Sequence, residues 1–198
     1  MQDIDNVVSV HLASFSGYFL SFLGPRFLSL YYSGICSSPE GIAFIYTSDD
    51  LIPVGFVVGA SNPRGFYSRL LKRDWLRFSF ASVRAVIRKP TAFARIVRAF
   101  SHPSQYPVGE STAGLFSVAV TPSFQKKGIG EKLVLRFLED AEQRGCKQSL
   151  LTTDRDNNNE VNLFYVKLGF KIERQYVTDE GRRMNEYRKI NSSQSSEP

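Results

Sequence analysis

The sequence contains only two cysteines, Cys36 and Cys146, which lie far apart and outside any metal-ligand spacing. This scarcity argues against a disulfide framework or a structural zinc site, and we expect free thiols in a reducing compartment. No run of about 18 apolar residues occurs, so the sequence predicts no transmembrane span. The first ten residues are acidic and lack the basic region of a signal peptide, which favours a cytoplasmic protein.

Acidic residues are almost absent from one part of the chain. Residues 61–100 contain ten basic residues and one acid, Asp74, and therefore carry a formal charge of +9. The rest of the chain holds 15 basic and 18 acidic residues, so the net charge of +6 comes from this segment. The ten basic residues are Arg64, Arg69, Lys72, Arg73, Arg77, Arg84, Arg88, Lys89, Arg95 and Arg98. We therefore expect any anionic partner to bind along residues 64–98.

The spacing of apolar residues predicts helices and then a hairpin in the first third of the chain. Residues 4–15 have helical spacing, and a second apolar stretch breaks at Gly24-Pro25, where proline suits the first turn of a new helix. We expect Gly34 to end that helix. The β-rich runs 41–47 and 53–61 then predict an antiparallel pair of strands.

Residues 62–108 interrupt the strand pattern. Residues 69–89 predict one amphipathic helix, and Pro90 predicts the start of a shorter one, each with an apolar stripe on the protein body. After them come a strand (114–120), a glycine-rich turn, a helix stopped at Gly145, a strand (147–154), a helix stopped at Gly169 and two closing strands. This order implies a right-handed parallel β-α-β unit, and with the hairpin it predicts an α/β fold with a mixed sheet.

The glycine-rich turn from residue 125 to 130, QKKGIG, has the properties of a phosphate-binding loop. Two glycines between a strand and a helix let several backbone N–H groups converge, and the helix dipole and two lysines add positive charge. The loop lacks the Lys-Ser/Thr ending of an ATP-binding loop and the dinucleotide-binding pattern. We therefore expect a phosphate group that needs no metal, although the hexapeptide alone is also typical of an ordinary strand-to-helix turn.

Two longer blocks, SVAVTPSFQKKGIGEKLV and NNNEVNLFYVKLGF, resemble the GNAT N-acetyltransferase superfamily in sequence, order and separation. The resemblance is close over residues 113–190 and loose over 4–61. It implies a GNAT-like domain over residues 1–190, acetyl-CoA as co-substrate without a metal, and a flexible tail at 191–198. It also implies a basic helical insertion at 62–108, between the family's third and fourth strands. The family's opening strand has no counterpart in this sequence.

The resemblance also assigns individual residues. The cofactor arm would lie along the strand residues Val118, Ala119 and Val120, and Asn158 would contact it. The pyrophosphate would bind the loop formed by Gln125, Lys126, Lys127, Gly128, Ile129 and Gly130. Tyr165 would face the sulfur and protonate the leaving thiolate, a role that suits a phenol. Since Phe164 is adjacent, one of these two rings should face inward, and we expect Tyr165 to be the functional one; the alternative is that Tyr165 is an aromatic core residue of the helix.

Transfer would be direct, so a base must remove the proton of the amine. Glu110, just before the fourth family strand, is one candidate, acting directly or through water, and His11 on the first helix is another. Each has a simpler interpretation, as a solvated loop carboxylate and a structural histidine respectively.

The sequence alone does not decide which amine is the acceptor. A small-molecule amine is favoured, with an anionic or nucleotide-linked amino sugar suggested by the basic segment, and a protein or peptide amine is the alternative. A non-enzymatic module that binds a membrane or another anionic surface on a GNAT scaffold is a third hypothesis. No specific nucleic-acid motif occurs, and a homodimer is neither predicted nor excluded.

Overall fold

The computed structural model describes residues 2–88 and 111–191. Its helices are Gln2–Ser14 (α1), Phe19–Leu23 (α2), Pro25–Cys36 (α3), Phe66–Arg73 (α4), Trp75–Arg88 (α5), Ile129–Gln143 (α6) and Asn159–Lys167 (α7). Its strands are Gly41–Thr47 (β1), Pro53–Ala60 (β2), Thr112–Val120 (β3), Gln148–Asp154 (β4), Lys171–Val177 (β5) and Arg183–Ile190 (β6). They form one sheet in the order β1-β2-β3-β4-β6-β5, in which β3 and β4 are parallel and the other neighbours antiparallel. The predicted mixed sheet is confirmed.

Helices cover both faces of this sheet. One face carries α1 to α5 over an aromatic-rich core that includes Phe27, Tyr32 and Phe56. The other face carries α6 and α7 over a second core that includes Phe137 and Tyr165. Within the described ranges, no helix is long and apolar enough to cross a membrane, and no cluster of three His, Cys, Asp or Glu residues suits a metal ion.

The break between α2 and α3 falls at Gly24-Pro25, as predicted, with Gly24 at a φ of 88°. The prediction that Gly34 ends the next helix is wrong, because α3 continues to Cys36. Gly34 is buried, and a Cβ at that position would lie 2.1 Å from Cδ1 of Leu70. The glycine therefore serves the close approach of α4 to α3 rather than a helix end.

The segment between β2 and β3 also differs from the prediction. The single helix expected over residues 69–89 is two helices, α4 and α5, separated at Asp74. The Asp74 carbonyl accepts the first hydrogen bond of α5, from Phe78 N–H at 3.1 Å, so an aspartate occupies the start position that such residues favour. The helix predicted after Pro90 lies outside the described residues.

Candidate active site

A gap opens in the sheet between β3 and β4. The two strands pair through only three residue pairs, from Thr112 with Gln148 to Gly114 with Leu150. Beyond them, β3 stays paired with β2 up to Val120, and β4 stays paired with β6 up to Asp154. The facing edges of β3 and β4 therefore have no strand between them along this stretch, and the sheet presents backbone groups to a V-shaped opening.

A β-bulge at Phe116 determines which groups face the opening. The pairing with β2 shifts between Ser117 and Leu115, so Phe116 is the extra residue. Past the bulge, Thr121 N–H donates to the Val54 carbonyl of β2 at 2.8 Å. Because polar backbone groups alternate in direction along a strand, those of Val118 and Val120 point into the gap, whereas those of Ala119 point towards β2.

Among these groups, the Val120 carbonyl already has partners. It accepts hydrogen bonds from the Gln125 side-chain amide at 3.0 Å and from the Ser14 hydroxyl at 3.2 Å. These contacts hold the loop that follows β3 and the end of α1 together. Of the three predicted strand residues, Val118 therefore offers the freest backbone for an extended ligand.

The loop between β3 and α6 leaves backbone N–H groups free at the same end of the gap. Lys126 and Gly128 have positive φ values of 60° and 77°, and no side chain caps α6. The first intrahelical bond runs from Lys132 N–H to Gly128, so the amides of Ile129 and Gly130 have no partner within the helix. The site is thus a helix N-terminus with unpaired donors, as the sequence predicted for an anion.

Both lysines of this loop extend into solvent. Lys126 lies 3.8 Å from Glu160 of α7, across the mouth of the gap, and Lys127 lies over the ring of Phe124. Gly130 has only ordinary contacts in reach, since a Cβ there would lie 3.6 Å from the Phe164 ring. Small residues at this position are therefore compatible with the packing.

Asn158 lies at the β4 side of the gap. Its amide donates to the Thr153 hydroxyl at 2.8 Å and to the Asp154 carbonyl at 2.9 Å, which holds the start of α7 against the end of β4. Its side-chain carbonyl has no partner among the described residues and is free to accept a hydrogen bond. A shallow depression of about 500 Å³ adjoins it, lined by residues 157–161.

Sequence reasoning missed Asn162, one helical turn further on. Its amide donates to the backbone carbonyls of Asp154 and Asn158, and its oxygen accepts from Asn185 and Tyr187, each at 2.9 Å. Asn162 thereby joins α7, β4 and β6. The spacing of four residues after Asn158 was the only available signal.

Tyr165 projects from α7 into the second core and is 6% exposed. Its ring contacts those of Phe164, Phe170 and Tyr187. Its hydroxyl has no hydrogen-bond partner among the described residues, and burial raises the pKa of the phenol above its usual 10. A buried, neutral and unpartnered donor of this kind suits hydrogen bonding to a sulfur atom that gains negative charge.

The two candidate bases differ in what the structure shows. Glu110 lies outside the described residues. His11 is 2% exposed, and its Nδ1 lies 2.5 Å from the Tyr32 hydroxyl, which also has a hydrogen bond with the Ser117 side chain. Its Nε2 is buried without a partner, and burial lowers the pKa of His11 to about 4. His11 is therefore neutral and has no direct contact with solvent.

Two acetyltransferases are among the solved structures that this chain resembles in fold. The chain superposes over its full length on an aminoglycoside 6'-acetyltransferase type Ii, with a TM-score of 0.62, 16% identity and 94% of that chain covered. It also superposes on the Escherichia coli ribosomal-protein-S18-alanine N-acetyltransferase, with a TM-score of 0.59, 15% identity and the same two coverages. At these identities the comparison establishes the fold, which is that of the GNAT enzymes.

A family comparison then assigns the chain itself. Residues 18–170 match the model of the acetyltransferase (GNAT) family, and the protein belongs to that family. Its members take the acetyl group from acetyl-CoA. Mycothiol acetyltransferase of Nocardia farcinica is 41% identical over 66 residues, which are 33% of this chain. That stretch is 20% of the relative's length, so the chain matches only about a fifth of it.

The residues present fit acetyl-CoA. The unpaired edge of β3 can accept an extended arm, the free amides at the start of α6 suit a pyrophosphate, and the unpartnered hydroxyl of Tyr165 suits a thiol sulfur. Asn158 offers one more acceptor at the other side of the gap. These four features are the ones that the sequence resemblance assigned to the cofactor.

Binding of acetyl-CoA is expected to raise the melting temperature. A ligand at about 100 times its Kd adds roughly 2.7 kcal/mol, or about 5–10 °C for a chain of this size. Gly130→Glu should abolish the shift, because a carboxylate beside the loop repels the pyrophosphate. The same carboxylate favours the helix N-terminus, so the unliganded variant should stay folded.

Gly130→Ala is the matched control, since its methyl group meets only ordinary contacts. It should keep most of the shift in the same thermal assay. If a folded wild-type protein shows no shift with acetyl-CoA, or if both variants behave alike, the assignment of this loop is wrong.

Acidification is expected to destabilise the protein through His11. Since burial lowers its pKa from 6.5 to about 4, only the unfolded chain binds this proton between those values. The free energy of unfolding should fall by about 3 kcal/mol as the pH drops through that window. Urea denaturation across the window measures this slope, and His11→Gln should remove its contribution. An equal slope in the variant would contradict the assignment.

Proposed function

We propose that the protein transfers the acetyl group of acetyl-CoA directly to a primary amine of a small molecule. The observation that carries this proposal is the gap between β3 and β4, with the phosphate-binding loop at its end and Tyr165 on the helix that follows β4. Family membership supports the same donor. Neither cysteine lies in the strand segments that border the gap or in the phosphate-binding loop. A direct transfer needs no acyl-enzyme.

Different residues of the chain would perform different parts of the reaction. When bound, acetyl-CoA supplies a thioester: its carbonyl carbon bonds to the amine nitrogen, and its C–S bond breaks. Val118 would donate its backbone N–H to the carbonyl oxygen, and this donor is worth most in a site that excludes water. Tyr165 would hold the departing sulfur by a hydrogen bond. Because burial raises the pKa of this phenol, it acts first as a donor and completes proton transfer only as the sulfur becomes anionic.

The base would take the amine proton before or during attack. Glu110, which lies two residues before the start of β3 and outside the described residues, stays our first candidate, acting through water. His11 would have to act through Tyr32 and Ser117, because its ring has no direct access to an acceptor. The lowered pKa of His11 also makes it a weak proton acceptor, which favours Glu110.

Aromatic residues reduce the space that is available to an acceptor beside β3. The rings of Phe66 and Tyr67, at the start of α4, contact the ring of Phe116 at the bulge, with centroids 5.4 and 4.8 Å apart. These contacts favour a compact acceptor over an extended peptide. The positive charge of residues 64–98 favours an acceptor with an anionic group, such as a nucleotide-linked amino sugar.

Tyr165→Phe tests the role of the hydroxyl. The variant should lose about a hundredfold or more in kcat with little change in the KM for acetyl-CoA, since only the departing sulfur needs this group. Its stability should not fall, because the hydroxyl has no partner to lose. Tyr187→Phe is the control with the opposite signature: it loses a hydrogen bond to Asn162, worth about 1 kcal/mol, but should keep kcat. Full activity in Tyr165→Phe would exclude the proposed role.

A panel of amines tests the acceptor class. We expect release of coenzyme A to be fastest with a nucleotide-linked amino sugar, slower with the free amino sugar and slowest with peptides that have a free amino terminus. Arg64→Ala should reduce the preference for the anionic sugar, whereas Arg136→Ala, in the opposite helical layer, should not. Faster turnover of peptides would favour a protein N-acetyltransferase instead, and equal rates on anionic and neutral sugars would exclude the anionic acceptor.

A further inference from the structure

Helix α5 exposes a continuous row of large apolar side chains. Leu76, Phe80, Val83 and Ile87 repeat at intervals of four, three and four residues, which places them along one face of the helix. All four are exposed, with Phe80 at 78% and Ile87 at 75%. Trp75, the only tryptophan of the chain, is exposed at the start of the same helix. We call Leu76, Phe80, Val83 and Ile87 the α5 apolar row; Trp75 lies about a third of a turn away from it, towards the buried Phe78.

This row is not the face that holds α5 on the protein. Among the α5 side chains that the structure describes, Phe78 and Ser82 are buried, and the ring of Phe78 lies 5.1 Å from that of Phe27 in α3. An ordinary surface helix has polar residues opposite such a buried stripe. Helix α5 instead has a second apolar face in solvent, and such exposed patches mark sites of interaction.

Basic residues accompany the row. In the sequence, Arg77, Arg84 and Arg88 each directly follow a residue of the apolar row. Residues 66–88 contain six basic residues against the single acid Asp74. Part of this charge is balanced within the fold, since Asp74 pairs with Arg73 and Arg77, and Glu40 pairs with Arg69. Lys72 is exposed, and the net formal charge of residues 66–88 is +5.

We propose that α5 lies in the surface of an anionic lipid bilayer, with the α5 apolar row inserted among the acyl chains and the neighbouring basic residues at the lipid headgroups. A helix with large apolar residues on one face, arginines beside that face and a tryptophan at its start has the composition of interfacial helices. Long basic side chains can keep their charges at the headgroups while their stems lie in the apolar layer. Anionic lipids supply the complementary charge.

The positive charge of α5 and the apolar character of the row together argue against two other partners, a second copy of the chain and a nucleic acid. A second copy placed face to face on the row would bring two helices of the same positive sign together, which opposes a stable dimer. A nucleic acid would satisfy the charge, but it would leave the aliphatic side chains of the row without an apolar partner. An anionic bilayer provides both negative charge for the basic residues and an apolar layer for the row. The basic residues of this contact are also part of the charge that we assigned to an anionic acceptor, but neither the gap nor the phosphate-binding loop is needed for it. Binding to vesicles and binding of acetyl-CoA are therefore tested separately.

Trp75 provides a direct probe of the contact. Vesicles of phosphatidylcholine mixed with phosphatidylglycerol should shift its fluorescence to the blue and carry the protein upward in a flotation gradient. Vesicles of phosphatidylcholine alone should do so at least about tenfold more weakly, and high salt should weaken binding to the anionic vesicles. Because Trp75 is the only tryptophan, the signal reports this helix alone.

The double variant Phe80→Ser, Ile87→Ser should lower partition onto anionic vesicles by at least about tenfold, since it removes two inserted side chains. These residues make little contact with the core, so its melting temperature should stay close to that of the wild type. The matched control is Leu51→Ser, Val177→Ser, which removes two equally exposed apolar residues elsewhere and should leave partition unchanged.

Three results would overturn the proposal: equal binding to neutral and anionic vesicles, equal loss in the control variant, or no blue shift with any vesicle. A wild-type dimer in sedimentation that the Phe80→Ser, Ile87→Ser variant makes monomeric would assign the row to a second copy instead. Binding of acetyl-CoA, followed by its thermal shift, serves as an independent check that each protein used is folded and competent.

Discussion

The early end of the pairing between β3 and β4 is the constraint on which the other features depend. Parallel strands need a crossover, and α6 supplies it, so the loop that starts α6 must lie at the carboxyl end of β3. That end is also where β3 and β4 separate. The anion-binding amides and the unpaired strand edge therefore lie together because one β-α-β connection creates both. The bulge at Phe116 then sets which backbone groups of β3 face the opening.

Several parts of this arrangement could be predicted because short stretches of sequence determine them. The alternation of strands and helices predicts the mixed sheet, and the glycines at 128 and 130 predict a loop with free amides. The break at Gly24-Pro25 follows from proline's fixed φ and missing donor. The prediction that Gly34 ends a helix is wrong because a glycine buried against another helix and a glycine that ends a helix look alike in sequence. Only the position of Leu70, 36 residues later, distinguishes them.

Other features depend on contacts between distant residues and could not be predicted. Asp74 divides α4 from α5 although the apolar spacing continues through it, because a helix start can compete with continuation of the same helix. Asn162 is recognisable only once β4 and β6 place their carbonyls and side chains around it. The buried link from His11 through Tyr32 to Ser117 joins three separate elements. For the site as a whole, the sequence proposes which residues bind the cofactor, and the fold shows how Val118, Asn158 and the glycine-rich loop are held.

The ion pair between Lys126 and Glu160 has a consequence for the kinetics of ligand capture. Both side chains are more than 80% exposed, so water and salt screen their attraction and the pair costs little to separate. Lys126 can thus turn towards an approaching polyanion without first giving up a strong bond. Charges of this kind accelerate encounter more than they slow departure, whereas the backbone amides behind them need a ligand in register. The lysines of the loop would then govern how often coenzyme A arrives, and the amides how long it stays.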